Sequence, residues 1–269
     1  MVKKYACVFL RLSSVKFPDN LPKIFQFCNL IHLPNQRQTD NWHPMQLKKI
    51  QEVLEQFKTH LLSEQKEQHL YIYESQKIFQ ENWNLEASDL AEMYNRSLNN
   101  TQTRRLWNRE NYEPKRMMLE FWRMQPDFVK QMFQDLFNEN KSVDGRVGRF
   151  VFYCDELLTE YLDKHPRSRE GKHFHQDGYQ IVSLYLAFRY PDQYTLYSLD
   201  RFKRLLTALG VPELPATHDF ERFCKVTRTM WNFMQKDEEL MAAHRERLEE
   251  NKHYQGVSLL PVYELMQII

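Results

Sequence analysis

Between Ile181 and Phe188 the chain reads IVSLYLAF, apolar at every position except Ser183. A helix that is apolar on all sides has no face to offer to water, so it must be wrapped by other elements. Pro191 ends the run, because proline lacks the backbone donor and pushes the residue before it out of helical geometry. The expectation is a buried helix at the centre of a domain, surrounded by amphipathic ones.

The flanking sequence supplies such partners. Pro44 suits a first helical turn, and Leu47, Ile50, Leu54, Phe57 and Leu61 follow at three- and four-residue steps. Leu70, Tyr71, Tyr73, Ile78, Phe79 and Trp83 come next, and a further helix carries Leu90, Met93, Tyr94 and Leu98. Pro114 and Pro126 open two more, the second burying Phe128, Val129, Met132, Phe133, Leu136 and Phe137. Ser142 to Gly148 reads as a loop, followed by a stripe from Phe150 to Leu162 and a charged loop, HPRSREGKH. Ser198 is a candidate cap for the helix through Phe202 and Leu209, which exits at Gly210 and Pro212. Thr217 is the candidate cap for the next, with Phe220, Phe223, Val226, Met230 and Phe233 or Met234 as its core face. QKDEELMAAHRERLEEN reads as a solvated helix, and Leu259 to Ile269 as an apolar tail.

Only six glycines and eleven prolines in 269 residues argue against an all-β sandwich, which needs a turn every ~8–12 residues. The expected fold is all-α, a multi-helix globular bundle spanning residues 43–269. Residues 1–42 form a separate extension, irregular or strand-like, since Pro18, Pro22 and Pro34 interrupt any regular pattern. The 37 basic and 36 acidic residues nearly cancel, so contact with a polyanion requires a local patch. Cys7, Cys28, Cys154 and Cys224 are far apart and form no CxxC pair, the usage of a reducing compartment. MVKKYACVFLRLSSVKF starts like a signal peptide, but Arg11 breaks its apolar run and no small-residue cleavage site follows. Nothing downstream approaches the ~20 apolar residues of a membrane span. The chain is read as cytoplasmic, with no membrane partner.

Three constellations carry potential chemistry. The connector Arg104, Arg105, Trp107, Arg109, Tyr112, Lys115 and Arg116 offers guanidinium groups for phosphates and rings for stacking on bases, with Glu110 and Glu113 diluting it. Its bland alternative is arginines paired with acidic neighbours and rings packed in the core. A second basic set, Lys164, Arg167, Arg169, Lys172 and His173, lies on a solvated loop. His173, His175 and Asp177 form HxHxD, which in an extended segment places two imidazoles and a carboxylate on one face, toward one metal ion. No block of Glu or His supplies the remaining ligands, so a loop or capping role is the reading adopted and a metal-dependent hydrolase the least favoured one. Phe188, Tyr190, Tyr194 and Tyr197 cap the core or form a stacking cage for a flipped base. No catalytic triad is recognisable, and Cys154 and Cys224 fall on apolar faces.

Five ordered blocks resemble one family: FQENWNLEASDLAEMY (Phe79 to Tyr94), TRRLWNRENYEPKRMMLEF (Thr103 to Phe121), DGRVGRFVFYCDELL (Asp144 to Leu158), HFHQDGYQIVSLYLAFRYPDQYTLY (His173 to Tyr197) and KDEELMAAHRERLEENKHY (Lys236 to Tyr254). They are similar to the helical region that precedes the motor in McrB-like AAA+ proteins of modification-dependent restriction systems, from roughly Pro44 onward. The resemblance implies a recognition or assembly module that binds DNA or another target and works with an AAA+ motor segment or a partner nuclease, in a restriction or anti-phage system. The motor's GxxxxGK[ST] loop is missing from this sequence, and GRVGRF, with Gly145 and Gly148, lacks the lysine and hydroxyl that a phosphate cradle requires. The chain is therefore expected to be non-catalytic and to need no cofactor, with its end near the point where the family's helical region meets the motor. The alternative expectation is a helical protein-interaction adaptor that does not touch nucleic acid.

Overall fold

The structure, a computed structural model, describes residues 44–63, 69–99, 114–176 and 179–269. All fall within one unit, His43–Ile269. Among the described residues every regular element is a helix: α1 (Pro44–Leu61), α2 (Tyr71–Asn82), α3 (Leu90–Ser97), α4 (Pro114–Met124), α5 (Pro126–Leu136), α6 (Val143–Lys164), α7 (Gln180–Arg189), α8 (Leu199–Ala208), α9 (Phe220–Met234), α10 (Glu238–Glu246) and α11 (Leu260–Ile268). The described residues thus form an all-α bundle. None of the described helices is long and apolar enough to cross a membrane.

Helix α7 is the hub. Every residue from Ile181 to Phe188 is buried, as the unbroken apolar run demands. The Tyr185 ring meets Tyr94 of α3, Phe133 of α5 and Phe150 of α6 with centroids 6.2, 5.1 and 5.9 Å away. Phe188 meets Phe79 of α2 at 5.7 Å, and the Gln76 amide of α2 donates to the Ala187 carbonyl at 3.0 Å. Each large side chain buried in this way contributes about 1.5–3 kcal/mol. Ser183 is satisfied locally: its hydroxyl donates to the Gln180 carbonyl (2.7 Å) and accepts from the Tyr197 N–H (2.8 Å). The outer layer packs in sequence order, α2 on α3, α3 on α4 and α5 on α6, and the chain returns by laying α11 against α1, α8 and α9.

Three expectations need correction. Ser142 to Gly148 is not a loop. Helix α6 begins at Val143, and both glycines lie inside it. Burial of Val143, Arg146, Val147 and Phe150 on one face outweighs the ~1 kcal/mol that each glycine costs a helix. The cap of α9 is Asp219, whose carboxylate accepts from the Arg222 N–H at 3.1 Å, rather than Thr217. The charged segment around α10 is solvated on one side only, since Leu240, His244 and Arg247 are buried.

Candidate functional site

Five residues of the basic connector, Arg104, Arg105, Trp107, Arg109 and Tyr112, lie outside the described residues. Lys115 and Arg116 lie in the first turn of α4 and are both engaged. The Lys115 ammonium donates to the Asn95 carbonyl (2.9 Å) and the Leu98 carbonyl (3.2 Å) at the C-terminal end of α3, where the helix dipole favours a cation. Burial lowers its pKa, opposed by the Glu92 carboxylate. Arg116 reaches Glu170 of the loop after α6 at 2.5 Å. These two cations therefore tie elements together, and Lys115 holds the end of α3 beside the start of α4. Of the second basic set, Lys164 pairs with Glu160 at 2.6 Å and His173 is buried, while Arg167, Arg169 and Lys172 are exposed.

The HxHxD segment divides. Asp177 lies outside the described residues, whereas His173 and His175 are both fully buried. Phe174 between them has φ 69°, a left-handed conformation that bulky residues rarely adopt, so the two imidazoles do not follow the simple alternation of an extended strand. His173 Nε2 lies 2.8 Å from the Asp155 carboxylate, and its Nδ1 accepts from the His175 N–H at 3.1 Å. His175 Nδ1 lies 2.8 Å from the His173 carbonyl, and its Nε2 lies 3.0 Å from the Tyr185 hydroxyl. A carbonyl can only accept, so Nδ1 of His175 carries the proton and Nε2 accepts from Tyr185. The Tyr94 hydroxyl, 2.7 Å from that of Tyr185, then donates to it. Burial, with the neighbouring His173, lowers the pKa of His175 to about 3, so its ring is neutral at ordinary pH. The sulfur of Cys154 joins these histidines: one ligand atom from each of Cys154, His173 and His175 lies within 4.8 Å of the others. Sequence spacing gave no sign of this third member, which α6 brings in from nineteen residues upstream of His173.

A second buried polar group links α2, α10 and α11. Glu264, fully buried, accepts from Arg247 Nη1 at 2.7 Å and Nη2 at 2.5 Å, and from the Tyr73 hydroxyl. Burial alone would raise its pKa, but the guanidinium overrides this and holds the carboxyl below its ordinary value. Arg247 Nη2 also lies 3.0 Å from His244 Nδ1, and burial together with that cation lowers the His244 pKa to about 4. Such a cluster, closed on itself, is suited to fixing α11 in place.

The aromatic turn is part of the core. Phe188, Tyr194 and Tyr197 are buried, Tyr190 donates to the Phe137 carbonyl at 2.7 Å, and Arg146 reaches the Tyr194 hydroxyl at 2.9 Å. No base can enter between rings packed this way, which removes the cage reading. An open groove of about 560 Å³ runs between α3 and α4, lined in part by Asp89, Glu92, Trp122 and Arg123. Its charges are committed locally: Asp89 caps α3, Glu92 pairs with Arg96 and Arg123 with Glu120. Compared with protein-family models, curated proteins and solved structures, the chain matches none of them.

Proposed function

We propose that the chain is a non-catalytic recognition module of the kind that precedes the motor in McrB-like AAA+ proteins. Its ligand in this reading is DNA, held through Arg104, Arg105, Trp107, Arg109 and Tyr112, and nucleotide hydrolysis belongs to a motor segment or partner elsewhere. The observation that supports it best is the position of Lys115. By seating on the last carbonyls of α3, it anchors the two ends of the stretch 100–113 at one place on the bundle. The sequence between these ends carries three arginines and two aromatic residues, the combination that neutralises phosphates and stacks on bases. His175, His244 and Glu264 are enclosed and each is bonded to buried neighbours, His175 to Tyr185 and both His244 and Glu264 to Arg247, which suits stability rather than turnover.

Gel shifts of the full chain on duplexes with plain and modified cytosine test this. The expected result is a retarded complex that is lost at raised salt and weakened when Arg104 and Arg105 are both replaced by Ala. A folded chain that retards no duplex at low salt would refute the DNA reading and favour the protein-interaction adaptor.

A further inference from the structure

We propose that Cys154, His173 and His175 form a buried site for a divalent transition metal of the zinc type, which locks the loop after α6 back onto that helix. This site is separate from the connector and stands or falls independently of it. Thiolate and imidazole are the ligands that zinc prefers, and the three donor atoms already lie within 4.8 Å of one another. Zinc bond lengths of ~2.3 Å to sulfur and ~2.0–2.1 Å to nitrogen set ligand-to-ligand edges of roughly 3.3–3.6 Å. The donors must therefore close by up to about 1.5 Å, a shift within the reach of loop residues 173–175.

The hydrogen bonds around the histidines follow the pattern of metal-bound imidazoles. Such a ring usually gives its N–H to a carboxylate or backbone carbonyl and turns the other nitrogen's lone pair to the ion. His173 gives Nε2 to the Asp155 carboxylate at 2.8 Å, and His175 gives Nδ1 to the His173 carbonyl at 2.8 Å. That leaves Nδ1 of His173 and Nε2 of His175 as lone pairs, now accepting from a backbone N–H and from the Tyr185 hydroxyl. Binding exchanges these two acceptor contacts for the metal.

Proton and charge both balance. Cys154 binds as the thiolate and releases its proton to solvent, and each imidazole already presents an unprotonated nitrogen, where it accepts a hydrogen bond. A dication with one thiolate leaves one positive charge, which Asp155 offsets through His173. Phe150 and Tyr185, with ring centroids 6.0 Å from that of His175, supply an apolar wall of the type that tightens such sites. The left-handed Phe174 is the backbone distortion that turns both rings inward.

The test uses the full chain purified from zinc-supplemented medium, then stripped and titrated with Zn²⁺ or Co²⁺. The site predicts about one equivalent of zinc per chain, and a Co²⁺ adduct with the thiolate-to-cobalt absorption band and intense tetrahedral d–d bands. Zinc at about a thousandfold over its Kd should raise Tm by roughly 8–16 °C. Cys154→Ser, checked for helical circular dichroism, should lose the charge-transfer band. A wild-type chain that binds neither ion, with Tm unmoved by zinc or chelator, would overturn the proposal. So would a folded Cys154→Ser variant that keeps a full equivalent and the same spectrum.

Discussion

Replacing Arg247 with Met isolates the energetics of the buried polar cluster. Glu264 accepts three hydrogen bonds, two from Arg247 at 2.7 and 2.5 Å and one from Tyr73. The variant leaves a fully buried carboxylate with Tyr73 alone. Two charge-assisted bonds are together worth about 3–6 kcal/mol, and breaking one side of a buried pair costs about 3–5 kcal/mol, so the expected loss is about 4 kcal/mol. In a protein with a net stability of about 5–15 kcal/mol that is a large share, equivalent to a Tm drop of roughly 8–16 °C. Urea unfolding at pH 7 measures it as a lower midpoint at constant slope. The pH dependence has a definite sign. Without the guanidinium, burial raises the folded-state pKa of Glu264 above its unfolded value, so the deficit is full above that raised pKa and shrinks as pH falls through it. Arg247→Met combined with Glu264→Leu removes both charges and should recover most of the loss. A single-variant cost below about 1 kcal/mol, or a double variant as damaged as the single, would refute the reasoning.

Other predictions follow from the same contacts. His244 has a folded pKa of about 4 against an ordinary 6.5, with burial as the main cause and Arg247 next. The stability gained by keeping it neutral is complete above pH 6.5 and is lost as pH falls from 6.5 toward 4, by up to about 3 kcal/mol. A urea midpoint that declines over this window in wild type but less steeply in His244→Gln is the expected observation, and equal slopes would contradict it. Lys115→Met removes two charge-assisted bonds to the end of α3 that are only part-buried, so solvent screening halves their worth and the expected cost is about 1.5–3 kcal/mol in urea unfolding. Tyr94→Phe deletes the outer donor of the Tyr94–Tyr185–His175 chain and should cost about 1 kcal/mol. An unchanged midpoint in either variant would show that the group is not held as described.

The fold was legible where a residue's role is local. An apolar run such as Ile181 to Phe188 has only one place to go, and Pro114 and Pro126 open helices because the donor they lack would be unused there. Local rules misled where tertiary burial decides. Gly145 and Gly148 read as a loop, yet the face of Val143, Arg146, Val147 and Phe150 carries the helix through them. Thr217 is an acceptable cap in sequence, but α9 starts two residues later and the Asp219 carboxylate accepts the Arg222 N–H instead. Arg247 looked like one more charge in a solvated helix, and nothing near it marks Glu264 as its partner. The HxH pair was visible, but Cys154 is brought to it by the packing of α6 against the loop, which no spacing rule contains. The arginine-rich stretch 104–112 is a sequence observation that the described residues frame at both ends.

The recognition reading is tested most directly by the salt dependence of DNA binding. Fluorescence anisotropy of the full chain with a labelled duplex should give log K falling linearly with log salt concentration. Arg104→Ala with Arg105→Ala should flatten that slope by about 1.8, or ~0.9 per phosphate contact removed. Binding that is absent at low salt, or a slope unchanged in the double variant, would contradict the assignment of DNA to the connector.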